Sequence, residues 1–313
     1  MKKLLVISGP TATGKTELAL ALAKKLNGEL ISADSRQVYK GMDIGTGKDV
    51  PEDFMFIESE PGYYTDGKAR IWGYDLVPPE ANFSVSEYLD FAHQVIADIH
   101  SRSKLPILVG GTGLYVKAVI EGINTASTPR NPSLRANIDN LSVEHLYKKL
   151  EKLDSQRATL LNNSDRKNPR RLIRAIEVAK VQKNPEKISP QYDCLKIGLN
   201  CPIEELSSRI AQRVKKRLVS GFEKEVHTLI KHGITKKLQS MQTPGYREWM
   251  QYLIGEINCE EANARWQRAE RQYAKRQRTW FKKQHGFIWF SACKGDLEGQ
   301  VEARVKRWYA QRQ

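Results

Sequence analysis

Short apolar runs alternate with helix-periodic stretches through the first 121 residues. Lys3–Ser8 (KLLVIS) predicts a buried strand that runs into a glycine-rich turn, and Glu17–Leu26 then places Leu and Ala at helical spacing. Glu29–Ala33 (ELISA) predicts a second strand. Phe83–His100 predicts a helix with Val85, Leu89, Ala92, Ile96 and Ile99 on one face. Leu105–Val109 (LPILV) predicts a third buried strand, ahead of Gly110-Gly111-Thr112-Gly113. Strands alternating with helices in this order predict an α/β fold with a parallel sheet.

The rhythm then changes. Residues 124–133 (NTASTPRNPS) predict a linker, and residues 134–183 predict helices without a strand, notably Val143–Leu153 and Pro169–Val181. Leu195–Leu199 returns to strand character. Helical patterns follow over Ile203–Lys231 and Glu260–Lys283, then a strand at Gly286–Ser291 and a terminal helix. The expected organisation is one α/β core, residues 1–121 and 194–313, interrupted by a helical insertion at 122–193. Within the core, Tyr63–Lys68 predicts a hairpin tip between two short strands, expected to be surface decoration.

Composition adds a partner class. The 313 residues carry 51 Lys and Arg against 36 Asp and Glu, a net charge of +15, and 40% are hydrophobic, enough to bury a core. The excess is uneven: residues 1–121 are net −3, residues 122–200 net +7 and residues 201–313 net +11. A basic remainder joined to a mildly acidic N-terminal part points to a polyanion such as nucleic acid, with a merely basic surface as the alternative. No apolar run approaches the ~20 residues of a membrane helix, and the N-terminus does not read as a secretion signal. Cys194, Cys201, Cys259 and Cys293 form no CxxC pair, so neither a zinc site nor a disulfide framework is expected, and a reducing cytoplasm fits.

The candidate chemistry begins at Gly9-Pro10-Thr11-Ala12-Thr13-Gly14-Lys15-Thr16, which fits G-x-x-x-x-G-K-[ST] between a predicted strand and a predicted helix. Gly9 and Gly14 let the backbone curl so that N–H groups face a phosphate, and the following helix adds its positive dipole end. Lys15 supplies a point charge, and the Thr16 hydroxyl can ligate Mg²⁺. The loop specifies a diphosphate or triphosphate without specifying a reaction. The third strand ends without a carboxylate, whereas the second ends at Asp34, where open α/β sheets bind ligands. Asp34 could serve as a metal ligand, a general base or a simple turn residue. Arg209, Arg213 and Arg217 recur every four residues on one helix face, as a diphosphate clamp or a solvated basic stripe. A small-molecule or nucleotide kinase is the alternative function at this point; it leaves the basic remainder of the chain unused.

Segments in order along nearly the whole chain resemble the tRNA dimethylallyltransferase (tRNA isopentenyltransferase, IPP transferase) family: GPTATGKT (9–16), DSRQVYKGMDIGTGK (34–48), GGTGLY (110–115), RRLIRAIEV (170–178), RIAQRV with GFEKEV (209–214 and 221–226), GYRE (245–248) and RQYAKRQRTWF (271–281). The resemblance implies a P-loop NTPase-like core whose helical insertion grips the anticodon stem-loop of a tRNA. It implies transfer of a dimethylallyl group from dimethylallyl diphosphate to the exocyclic amine of adenosine 37, with Mg²⁺ as cofactor, by a cytoplasmic enzyme expected to be a monomer. It assigns Asp34 as the base and Lys15, Thr16 and Arg213 to the diphosphate, and gives Arg217 no role. It further implies that Asp34, Ser35, Arg36, Gln37 and Thr112 meet the target adenine region. Contacts to the rest of the tRNA fall by resemblance on Arg135, on Arg170, Arg171 and Arg174 with the intervening Leu172 and Ile173, and on the loop Thr243, Pro244, Gly245, Tyr246 and Arg247. The basic face carrying Arg271, Lys275, Arg276 and Arg278 suits an RNA backbone. Around those positions Trp266, Ala269, Tyr273 and Trp280 form a stripe expected to anchor the core rather than stack on bases.

Overall fold

Apolar strands buried on both faces need helices on both sides, and the chain provides them. In the computed structural model, which describes residues 1–123, 125, 128–181, 191–293 and 295–310, the order of elements is β1 (Lys2–Ser8), α1 (Lys15–Leu26), β2 (Gly28–Ser32), β3 (Met55–Ile57), β4 (Tyr63–Thr65), β5 (Arg70–Trp72), α2 (Val85–Ser101), β6 (Leu105–Gly110) and α3 (Gly113–Glu121). After these come α4 (Pro132–Ile138), α5 (Val143–Leu153), α6 (Ser155–Leu160), α7 (Asn163–Arg166) and α8 (Pro169–Val181). The chain closes with β7 (Tyr192–Asn200), α9 (Ile203–Val219), α10 (Phe222–Lys231), α11 (Tyr246–Leu253), α12 (Cys259–Lys282), β8 (Phe287–Ser291) and α13 (Leu297–Ala310).

Two compact units result: residues 1–120 with 190–313, and residues 121–189. The first is built on an eight-stranded sheet ordered β3-β4-β5-β2-β6-β1-β7-β8. From β5 to β8 every neighbouring pair is parallel; β3, β4 and β5 are antiparallel. Alternation along β1 divides the core. Leu4 and Val6 join the layer that holds Tyr88, Ala92 and Ile96 of α2, while Leu5 and Ile7 join the layer with Leu18 and Leu22 of α1 and Val301 and Val305 of α13. Ser84 caps α2 in a reciprocal box with Glu87, which fixes where that helix begins.

Several expectations are corrected. The segment around residues 56–80 is not decoration: three short strands extend the sheet, and β5 pairs with β2 in parallel. The predicted linker contains the start of α4, capped by the Asn131 side chain. The long pattern over 203–231 is two helices, because Gly221 adopts φ 94° and breaks the run. Cys201 and Cys293 form a disulfide across 92 residues, against the expectation of none. Spacing along the chain could not reveal this pair. The β7–β8 pairing and the bond from the Ala292 amide to the Asn200 carbonyl bring the ends of the two strands together.

The second unit packs Leu134, Ile138, Leu146, Leu150, Ala158, Leu172, Ile173 and Ile176 into its own core. Its polar hub is Glu177, 2% exposed, which accepts from Arg135, Arg174 and the Asn131 amide. Burial alone would raise the Glu177 carboxyl, but these donors outweigh it and hold the group at about 2. A carboxyl depressed in the folded state contributes stability above its unfolded value near 4.5 and loses it as pH falls towards 2. Glu177→Gln is therefore expected to cost about 2 kcal/mol at pH 7. Denaturant melts at stepped pH should show the gap to wild type closing between pH 4.5 and 2; a gap independent of pH would contradict the ionic hub.

Candidate active site

At the carboxyl ends of β1, β2 and β6 the backbone packs so tightly that two positions admit no side chain. A Cβ on Gly9 would lie 2.3 Å from the Leu199 carbonyl oxygen, and one on Gly110 would lie 2.3 Å from that of Ala33. The turn after β1 then folds over as a phosphate-type loop. Thr13 Oγ1 and Lys15 Nζ both donate to the Pro10 carbonyl, at 2.8 and 2.6 Å, so Pro10 and the buried Thr13 shape the loop from within. Ala12 takes φ 61° and Gly14 φ 74°.

The loop opens on a cavity of about 630 Å³ lined by Thr11, Gly14, Lys15, Thr16, Asp34 and Arg213, with further walls from Thr46, Gly47, Asp49, Tyr74, Arg209 and Gln277. Burial, then the Arg213 guanidinium, push the Lys15 ammonium down to about 7, against Asp34 and Asp49. Burial raises the Asp34 carboxyl, opposed by the Arg36 amide and by Arg36, Lys15 and Arg213. Arg213 donates to Thr11 Oγ1 at 2.7 Å and faces Asp49 at 3.6 Å. Lys15, Arg209 and Arg213 therefore share a single space with Asp34 and Asp49. It can receive a multiply charged anion beside a carboxylate of enhanced basicity. Thr16 and Asp34 also offer hard oxygen donors of the kind Mg²⁺ takes alongside phosphate oxygens and water. No cluster of three or more His, Cys, Asp or Glu suited to a metal occurs among the described residues.

The residues after Asp34 are tied into a frame. Arg36 N–H donates to Asp34 Oδ1 at 2.9 Å, Ser35 N–H donates to Thr112 Oγ1 at 3.0 Å, and Arg36 Nη1 reaches the Gln239 carbonyl. Gln37 is buried with its amide used twice, accepting from Ser32 Oγ and donating to the Gly47 carbonyl. The 43–47 loop rests on Glu225, which accepts the amides of Asp43, Ile44 and Gly45 and the Tyr246 hydroxyl. Gly45 and Gly47 have no room for a Cβ, which would meet the Phe222 and Tyr246 rings or the guanidinium groups of Arg213 and Arg217.

Other expected residues are placed differently. Leu172 and Ile173 are enclosed in the core of the second unit, so any contact of this stretch with RNA falls to its backbone and to its exposed neighbours. Arg135 and Arg174 are committed to Glu177, and Arg174 also donates to the carbonyls of Thr125 and Thr128. Arg170 and Arg171 are exposed, with Arg171 paired to Asp165. Thr243 and Tyr246 are buried, and Tyr246 begins α11 instead of standing in a loop; Arg247 is exposed, paired to Glu248. Pro244 and Gly245 lead into that helix, and a Cβ on Gly245 would meet the Trp266 ring. Along α12, Arg271, Lys275 and Arg276 are exposed and Arg278 is partly so. Trp266 is fully buried, as a core anchor should be. Arg217 is buried against Glu270 at 3.0 Å, with burial and then Arg213 pushing its guanidinium down. Gln277 is 5% exposed and lines the cavity; a lone glutamine among basic residues carries no chemical signature in the sequence.

The sequence profile of the IPP transferase family matches residues 37–284, and that of isopentenyl transferase matches residues 2–66. A tRNA dimethylallyltransferase from Geobacter sulfurreducens is 38% identical over 299 residues, covering 92% of this chain and 91% of the relative. The crystal structure of a tRNA isopentenylpyrophosphate transferase from Bacillus halodurans is similar with a TM-score of 0.71 at 37% identity, over 99% of this chain and 96% of the other. A eukaryotic dimethylallyltransferase acting on tRNA aligns with a TM-score of 0.84 at 26% identity, over 100% and 81%.

The crowding of cations sets a measurable titration. Amine labelling as a function of pH should give Lys15 an apparent pKa near 7 in the ligand-free protein. Arg213→Ala removes the second cause and should move it upward. A Lys15 that labels like a solvent-exposed lysine would contradict the geometry.

Proposed function

The chain belongs to the IPP transferase family, whose curated relatives are tRNA dimethylallyltransferases, and from that membership we propose how its residues move a dimethylallyl group from dimethylallyl diphosphate onto adenosine 37 of tRNA. The reading rests on one observation: the phosphate-type loop, Arg213 and Asp34 line the same cavity.

The diphosphate lies on the loop, with Lys15 and Arg213 against its oxygens. As the bond from C1 of the dimethylallyl group to oxygen breaks, its electron pair leaves on the diphosphate, where these cations stabilise the added charge. The exocyclic nitrogen of the adenine supplies the electron pair for the new bond to C1. Its lone pair is delocalised into the ring, so a base must take the proton as the bond forms; Asp34 accepts it. Thr16 would hold Mg²⁺ with phosphate oxygens and water, and the ion would draw charge from the departing diphosphate. Ser35 and Thr112, hydrogen-bonded to each other beside Asp34, border the place where the extruded adenine arrives, at a cost of a few kcal/mol for leaving its stack. The amide of Gln37 is spent on the protein, so it positions the 34–37 turn and the 43–47 loop rather than reading the base.

The tRNA anticodon stem-loop is the inferred macromolecular partner. Exposed Arg271, Lys275 and Arg276 on α12, and Arg170 and Arg171 on α8, offer charge to its phosphates. Arg135 and Arg174 support that role indirectly, by building the hub around Glu177. A monomer is the inferred state. The inferred compartment is the cytoplasm. None of the described helices is long and apolar enough to cross a membrane.

Asp34→Asn keeps the size of the side chain and removes the base. Single-turnover transfer with dimethylallyl diphosphate, Mg²⁺ and a tRNA transcript should slow by about 10²–10⁴-fold, with tRNA affinity changed less than threefold. Equal losses in rate and affinity would place Asp34 in binding instead.

A further inference from the structure

Of the groups around the cavity, the one without a chemical role so far is also among the most constrained. Gln277 sits on α12, whose outer side carries Arg271, Lys275 and Arg276 exposed to solvent. Its own side chain points the other way and is 5% exposed. Both ends of its amide are used. Oε1 accepts the Thr11 amide at 2.8 Å, and Nε2 donates to the Gly111 carbonyl at 3.0 Å. Thr11 belongs to the phosphate-type loop and receives Arg213 on its hydroxyl; Gly111 belongs to the turn after β6 that leads to Thr112. One glutamine therefore joins the diphosphate cradle, the Asp34 side of the cavity and the basic helix.

Its surroundings tie α12 closely to the 111–113 turn. A Cβ on Gly111 would lie 2.1 Å from Gln277 Nε2, so the turn approaches α12 as closely as a bare backbone permits. One turn before Gln277, Tyr273 lies beside Thr112. About one turn after it, the Trp280 ring packs where a Cβ on Gly113 would fall, at 2.3 Å. The inner side of α12 thus meets the 111–113 turn at three successive levels, and of these three residues Gln277 is the one hydrogen-bonded to the phosphate-type loop as well.

Resting on the prenyl-transfer reading above, we propose that Gln277 is a positioning residue through which RNA seated on the outer side of α12 sets the phosphate-type loop for the diphosphate donor. The Thr11 amide is spent on Gln277, so the amide of Gln277 anchors the loop from outside while Pro10 and Thr13 shape it from within. Movement of α12 on binding RNA changes that hydrogen bond directly, because the donor and acceptor atoms lie on the two elements concerned. Donor and RNA affinities are then linked, and each must change the other by the same factor.

The test uses the full chain and three variants. Gln277→Met keeps the volume and removes both hydrogen bonds. Gly111→Ala leaves α12 untouched and displaces the Gln277 amide by its added methyl group. The double variant places the methyl group where no amide remains to be displaced. Wild type must first transfer the dimethylallyl group to tRNA; failure there overturns the prenyl-transfer reading itself. With that established, each single variant should raise KM for dimethylallyl diphosphate at least tenfold while tRNA affinity stays within twofold. Wild type should bind inorganic pyrophosphate with Mg²⁺ at least fivefold more tightly with tRNA present, and in both single variants that ratio should fall to about one. The double variant should be no worse than the poorer single one, because the methyl group then displaces nothing that still functions. A Gln277→Met variant with wild-type KM and pyrophosphate ratio overturns the proposal. So does a wild type with no tRNA-dependent ratio, a double variant whose losses multiply, or a lowered melting temperature with unchanged KM in the folded fraction.

Discussion

The close approach of backbone to backbone at the carboxyl edge of the parallel sheet is the constraint on which the site depends. Gly9 lies against the Leu199 carbonyl and Gly110 against Ala33, each nearer than any Cβ would permit. Because these crossings are so tight, the turn after β1, the turn after β2 and the turn after β6 converge within one cavity. The cations of the first turn and the carboxylate of the second become neighbours for that reason. A sheet with ordinary spacing at those points would carry the same residues and hold them apart.

Proximity then generates the electrostatics. Burial, and then the neighbouring Arg213 guanidinium, push Lys15 and Arg217 down, and Asp34, Asp49 and Glu270 offset only part of this. Ligand-free, the cavity holds like charges confined by burial, and an anion that enters relieves the repulsion as it binds. Stability and function are opposed here: burial disfavours the charged forms, yet burial is what strengthens their attraction for a polyphosphate. Away from the cavity the same physics serves structure. Glu225 gathers the amides of the 43–47 loop, and Glu177 gathers two arginines and an amide in the second unit.

The distribution of arginines follows from these commitments. Several arginines are engaged inside the protein. Arg135 and Arg174 build the hub at Glu177, and Arg217 is buried with Glu270. Others remain exposed, notably Arg170 on α8 and Arg271, Lys275 and Arg276 on α12. The count of basic side chains is therefore an upper bound on what a polyanion can use. The structure divides that charge between internal carboxylates and solvent.

The sequence by itself determined the local features, because their causes are local. Alternating apolar runs set β1, β2 and β6; the G-x-x-x-x-G-K-T spacing set the loop; and the position of Asp34 after a buried strand placed it at the ligand-binding edge. The order of motifs along the chain was enough to identify the family. Features joined by long-range contact were hidden. Cys201 meets Cys293 through strand pairing 92 residues apart, Arg217 meets Glu270 across two helices, and Gln277 meets Thr11 and Gly111 across more than 160 residues. The pattern over 203–231 could not show its break because Gly221 is permissive of either conformation until packing chooses. Periodicity reports which way a residue faces on its own element. Which partner waits there is decided only when elements pack, since that pairing is a property of two distant segments and of neither alone.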